Sequence, residues 1–200
     1  MPAALMDELQ KNLIEMRRKG IPTEKIAETL NLSTDTVIWL LTHLDVGEAE
    51  AKSPADVLVD WSTIGGQPER INLLGKLMTS VIRERIGHVE EVDAVYGLTY
   101  DGLPLGQAVA HELGKPFVVV KTQGDLEFFS AFFDPKGKCI VLVDHVINTG
   151  RTLSRVIEKL KETDTEPLGI FVFVDKRPWK KDEEHVAGVP TYSLVRAIKA

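Results

Sequence analysis

A chain of 200 residues accommodates one domain of ordinary size and a small appendage. With 44% hydrophobic and 27% charged residues, and no apolar run near the ~18–20 residues of a membrane helix, it reads as a soluble globular protein without a membrane partner. A net charge of −6 offers no overall attraction for nucleic acid or an anionic membrane. The first residues, Met1-Pro2-Ala3-Ala4-Leu5-Met6-Asp7, lack the charged start and apolar core of a signal peptide. The single Cys139 cannot make an internal disulfide, and its strand position suggests a small buried hydrophobe. These features point to the cytoplasm.

Residues 1–52 read as three helices. Leu5, Leu9, Leu13 and Met16 mark one face of the first, and Gly20 is a natural stop. Pro22-Thr23 opens the second, with Ile26, Ala27 and Leu30 inward. Asn31-Leu32-Ser33 is a tight turn, and Ser33 caps a third helix whose Val37, Leu40, Leu41 and Leu44 face the core. This is the rhythm of a helix-turn-helix. The functional reading is DNA contact through the exposed positions Ser33, Thr34 and Thr36 of the third helix, with Arg17 and Arg18 touching the backbone. The bland reading is a helical packing or dimerisation module. Acids outnumber bases across residues 1–52, and the third helix offers no Lys or Arg for phosphate contacts. Residues 47–54, acidic and small and then Ser-Pro, read as a linker.

Residues 53–200 alternate strand and helix patterns, so the second domain is α/β with a mostly parallel sheet flanked by helices. Residues 56–61 look like a strand before a Gly65-Gly66 turn. Ile71, Leu74, Leu77, Met78, Val81 and Ile82 form a long amphipathic helix. Strands are expected at residues 92–96, 117–120, 140–143, 168–174 and 192–195, and helices at 105–113 and up to about Lys161.

The chemistry gathers around the strand Ile140-Val141-Leu142-Val143. Asp144 and His145 sit at its C-terminal end, followed by the turn Asn148-Thr149-Gly150 and then Arg151 and Thr152. Leu153, Val156, Ile157 and Leu160 continue at helical spacing. A turn between a strand and a helix N-terminus is where an α/β sheet places ligands, and the helix dipole favours an anion, typically phosphate. The rival reading is an ordinary strand-turn-helix without a ligand. Trp61 and Trp179 read as packing residues.

This stretch resembles the phosphoribosyl-pyrophosphate motif of the type I phosphoribosyltransferases, an apolar strand, two acids, two aliphatics and a Thr-rich phosphate turn. Asp144 matches the first acid, and Thr149-Gly150-x-Thr152 the phosphate turn. His145 replaces the second acid, Asn148 the first Thr, and Arg151 a small residue. The resemblance implies that Asp144 and His145 lie at the ribose hydroxyls, and that Asn148, Thr149, Gly150, Arg151 and Thr152 cradle the 5′-phosphate. It makes Mg2+ a possible cofactor, arriving with phosphoribosyl pyrophosphate, although His145 weakens the oxygen site.

Gly97-Leu98-Thr99-Tyr100-Asp101-Gly102-Leu103-Pro104-Leu105 resembles the pyrophosphate loop of the orotate-type enzymes. Thr99, Tyr100, Asp101 and Gly102, with Lys121 at the end of the next strand, are its candidate residues. A carboxylate at Asp101 repels pyrophosphate rather than holding it. Residues 121–138 match the catalytic lid of that family, but Phe128, Phe129, Phe132 and Phe133 crowd it, and no base follows Lys121 before Lys136. It reads better as a hairpin whose aromatics pack on the core or on a dimer partner, because a lid without cations cannot stabilise departing pyrophosphate.

Taken whole, the chain resembles the archaeal orotate phosphoribosyltransferase-like transcriptional regulators. The resemblance also rests on Trp39-Leu40-Leu41-Thr42, Val174-Asp175-Lys176 and Gly188-Val189-Pro190. It implies a helix-turn-helix domain at 1–52 joined to a phosphoribosyltransferase-like domain at 53–200. The expected protein is a homodimeric, DNA-binding regulator that senses phosphoribosyl pyrophosphate or a related sugar phosphate. The alternative is an active phosphoribosyltransferase of orotate or purine type, and the departures at both catalytic loops weigh against it.

Overall fold

The structure is a computed structural model that describes residues 3–43, 57, 59–98, 100–122, 126–129, 133–177 and 184–197. The chain divides into two compact units, Met1–Val59 and Asp60–Ala200.

In the first unit, α1 (Ala3–Arg18), α2 (Thr23–Thr29) and α3 (Thr34–His43) enclose a small core of Leu13, Ile26, Ala27, Leu32, Val37 and Leu40. Local chemistry sets the corners. Gly20 adopts φ +71°, and the Ile21 N–H reaches back to the Met16 carbonyl at 3.2 Å, closing α1 as a left-handed cap. Asn31 does the same after α2 at φ +51°, with the Leu32 N–H donating to Ala27. Ser33 Oγ accepts the Thr36 N–H at 3.1 Å, so α3 starts on a side-chain cap. Arg17 Nη1 donates to the Leu41 carbonyl at 3.2 Å and ties α1 to the end of α3. The three helices pack as one small helical unit.

The second unit holds α4 (Ser62–Gly65), α5 (Pro68–Ile86), a 3-10 turn (Val89–Glu91), β1 (Ala94–Leu98), α6 (Gly102–Leu113), β2 (Phe117–Lys121), β3 (Glu127–Phe129), β4 (Cys139–Ile147), α7 (Arg151–Lys161), β5 (Glu166–Asp175), β6 (His185–Val186) and β7 (Val189–Arg196). The sheet order is β3-β2-β1-β4-β5-β7-β6. The pairs from β2 through β7 are parallel, while β3 on β2 and β6 on β7 are antiparallel. Side chains alternate along each strand, so β4 feeds two cores. Ile140 and Leu142 pack with Leu153, Val156, Ile157 and Leu160 of α7, and Val141 and Val143 pack with α5 and α6. Coverage on both faces explains the unbroken apolar runs of the central strands. Helices α5 and α6 approach closely at Gly75, where a Cβ would stand 2.7 Å from the Ala108 Cβ. No helix among the described residues is long and apolar enough to cross a membrane.

Three expectations need correction. Val57 and residues 59–61, the described part of the expected first strand, are not in a strand, and Val57 is exposed. The motif strand does not stop at Val143 but continues through Asp144 and His145 to Ile147, paired with β5 as far as Asp175. Cys139 is half-buried rather than buried; its thiol is pushed up, first by burial and then by the Glu166 carboxylate, which keeps it protonated and poorly reactive.

Tyr96, in the middle of β1, is wholly buried, and its hydroxyl has no hydrogen-bond partner among the described residues. Burial and the Asp134 charge push it up to about 12. The folded value lies above the ~10 of an unfolded tyrosine. The associated stability is therefore fully present below about pH 10 and lost as the pH rises through 12. Tyr96→Phe should leave the melting temperature unchanged or raise it at pH 7, worth up to ~1 kcal/mol, because it removes an unpaired buried hydroxyl. It should also flatten the alkaline loss of stability between about pH 10 and 12, which thermal melts across that range would read.

Candidate functional site

Parallel strands β1, β2, β4 and β5 end along one edge of the sheet, and the loops that leave them carry the polar residues. After β4, Gly150 takes φ +80° at the cap position of α7. The helical ladder begins with the Ser154 N–H donating to the Gly150 carbonyl at 2.9 Å. The N–H groups of Thr152 and Leu153 stand ahead of that ladder at the positive end of the dipole. Thr149 is exposed, with its Oγ1 3.4 Å from the Arg151 N–H; Asn148 and Thr152 are half-buried, and Arg151 is exposed. Exposed N–H groups at such a turn can receive an anion.

Beneath the turn lies a pair the sequence reading left unassigned. Arg177 forks onto the buried Asp175, Nε at 3.0 Å and Nη2 at 2.7 Å, and Nη1 donates to the His185 carbonyl at 3.1 Å. A Cβ on Gly150 would come within 3.9 Å of Arg177 Cδ and 3.4 Å of a Val186 methyl. The pair thus clamps the end of β5 and the β6 hairpin against the turn.

A second group joins β1 to β4. The Asp144 carboxylate accepts the His145 N–H at 2.7 Å and stands 3.1 Å from His145 Nδ1. The other ring nitrogen, Nε2, stands 3.4 Å from the Asp101 carboxylate. The ring is stacked on Trp61 with centroids 5.2 Å apart, and His145 is only 8% exposed. Trp61 therefore packs on His145, as a packing residue of this edge. Asp101 occupies the cap position of α6, yet its side chain makes no cap and turns to the histidine instead. Gly102 permits this: a Cβ there would sit 2.8 Å from Asp144 Oδ1 and 3.2 Å from the Val143 carbonyl. Gly102→Ala should displace the start of α6 or the Asp144 carboxylate, costing ~1–3 kcal/mol. It should also weaken any ligand held at Asp144 more than tenfold, which melting and titration would show together.

Not every expected residue converges here. Thr99 lies outside the described residues, and Tyr100 is 66% exposed. Lys121 pairs with Glu127 at 2.9 Å across the β2–β3 hairpin. The edges of Phe128 and Phe133 meet the Tyr96 ring at centroid distances of 5.6 and 6.3 Å, so the described part of the lid segment packs on the core. The side chain of Phe129, and Phe132 and Trp179 altogether, lie outside the described residues. In the first unit Arg17 and Arg18 are exposed and Ser33 and Thr34 half-buried. Thr36 was expected on the exposed face, but it is 6% exposed and takes the Ser33 hydroxyl at 2.8 Å, so it cannot reach a partner.

Mg2+ prefers oxygen ligands in near-octahedral array. At this edge an imidazole stands between the two carboxylates, and no group of three His, Cys, Asp or Glu among the described residues could hold a metal. The residues do not fit a resident metal, and no step below runs through one.

Comparison with known proteins settles what this architecture belongs to. Residues 60–193 match the phosphoribosyl transferase domain family. The transcriptional regulator GfcR of Methanosarcina mazei is 34% identical over 97% of this chain and 98% of its own length. The chain belongs to the archaeal GfcR family of transcriptional regulators. GfcR of Haloferax volcanii is 30% identical over 97% of both chains, so the match spans both units. Among solved structures, adenine phosphoribosyltransferase from Rhodothermus marinus superposes with TM-score 0.58 at 21% identity, over 72% of this chain and 89% of that one. Orotate phosphoribosyltransferase from Mycobacterium tuberculosis, solved with 5-phospho-α-D-ribosyl 1-diphosphate, gives 0.55 at 22% identity, over 70% and 81%. These likenesses show the type I phosphoribosyltransferase fold, which in this chain follows a helical N-terminal unit.

Proposed function

We propose that this protein is a DNA-binding transcriptional regulator, acting as a homodimer, whose second unit senses phosphoribosyl pyrophosphate or a related sugar phosphate. The observation that carries the reading is the state of the catalytic apparatus beside an intact phosphate turn. The turn after β4 carries Thr149-Gly150-x-Thr152, with Gly150 left-handed at the cap of α7. Lys121, at the end of β2, already pairs with Glu127, and Phe128 and Phe133 of the lid segment pack on the core. A site that binds phosphate without mobile cations over it suits sensing better than pyrophosphate release. The relatives named as regulators over their full length support the same reading. Two reading heads on a dimer would contact two half-sites, and the ligand would act by favouring one of two poses.

The test is DNA binding by the full-length protein. It should prefer its own promoter region over random DNA of equal length at ~50–100 mM salt, where modest phosphate contacts persist. Equal binding to both would remove the regulator reading. The retained Asp144 favours a second reading, an active phosphoribosyltransferase. That reading requires base-dependent pyrophosphate release with orotate or a purine, lost in Asp144→Asn.

A further inference from the structure

The ligand class can be narrowed by the charges on the sheet edge. Asp101 is held toward the ribose side of the site by His145, at 3.4 Å, and Asp144 lies on the other ring nitrogen at 3.1 Å. Gly102 is packed so closely on Asp144 that the backbone carrying Asp101 cannot retreat along β4. Two cations described near this edge are engaged, Lys121 with Glu127 and Arg177 with Asp175 and the His185 carbonyl, while Arg151 lies exposed at the α7 turn itself. The helix-α7 turn offers positive potential for one phosphate group. Beyond it the group a ligand meets is two carboxylates joined by one imidazole.

We propose that Asp101 makes this site selective for a sugar monophosphate and against a sugar that carries a second, diphosphate group at its anomeric carbon. The inference rests on the sugar-phosphate reading above and deepens it. Hydroxyl groups suit the edge, since each O–H can donate to Asp101 or Asp144. A diphosphate in the same place sets two or more negative charges against Asp101 at close range. His145 stands beside the Asp101 carboxylate, and the Trp61 ring stacks on His145. The discriminating device is thus a relay of three residues from the cap of α4, β4 and the cap of α6.

Calorimetric titration of the full-length protein with ribose 5-phosphate and with phosphoribosyl pyrophosphate, each with and without Mg2+, tests the proposal. Wild type should bind ribose 5-phosphate at least tenfold more tightly than the diphosphate. Asp101→Asn should narrow that ratio severalfold and Asp101→Lys should invert it. The Asp101 side chain is 55% exposed, so both variants should keep the fold, which circular dichroism would verify. Equal or tighter binding of the diphosphate by wild type, or a ratio that the lysine variant leaves unmoved, would overturn the selectivity while leaving the sugar-phosphate reading standing. If neither compound binds, both fail together.

Discussion

Asp175→Ala should cost the second unit ~3–5 kcal/mol and lower its melting temperature by roughly 10 °C. The carboxylate is almost fully buried, and its oxygens take Arg177 Nε and Nη2 and the Arg177 backbone N–H at 2.9 Å. Removing it leaves a guanidinium with 14% of its side chain exposed and no carboxylate opposite. It also frees the end of β5 and the β6 hairpin that back the Gly150 turn, so ligand binding should fall with stability. A double variant, Asp175→Ala with Arg177→Met, should recover much of the melting temperature, because the penalty comes from the stranded charge and not from the absence of an ion pair. Thermal melts of the three proteins check this. Equal loss in the single and double variants would show that packing, not charge, holds this corner.

The second large effect belongs to the first unit. Leu13 is fully buried at the meeting of α1, α2 and α3. Leu13→Ala removes that contact and leaves a cavity, at ~2–5 kcal/mol. A core of six residues supplies little more stability than that. The variant should therefore lose the folded three-helix unit and its DNA binding, while the second unit keeps its melting transition and its ligand. Limited proteolysis combined with DNA binding would show it: rapid cleavage within residues 3–43 with the remainder resistant. Undiminished promoter binding by Leu13→Ala would mean that DNA is held elsewhere.

What was readable in the sequence was what is local. Helix starts and stops at Gly20, Ser33 and Gly150 depend on a few adjacent residues, and they appear as expected. The phosphate turn is contiguous and so was its signal. The parallel sheet showed in the apolar runs of β4 and β5, which are buried on both faces. The site's wiring is non-local and left little trace. Trp61 meets His145 across 84 positions, and Asp101 meets it across 44. Nothing in either segment announces the other. Thr36 was misplaced because a polar residue in a helix's first turn normally faces solvent; here the capping hydroxyl of Ser33 gives it a buried partner. The pattern at residues 56–61 has strand propensity, but a strand needs a neighbour, and propensity does not supply one.

The central claim is that an anion at the α7 turn and DNA at the helical unit are linked. Binding of fluorescent promoter DNA should be measured at fixed salt as ribose 5-phosphate is titrated in. The account predicts a shift in DNA affinity of about 5-fold or more in either direction. Alteration of the phosphate turn by Gly150→Val should abolish that shift and leave DNA binding without ligand intact. DNA affinity that stays constant up to saturating ribose 5-phosphate, with ligand binding confirmed in the same sample, would contradict it.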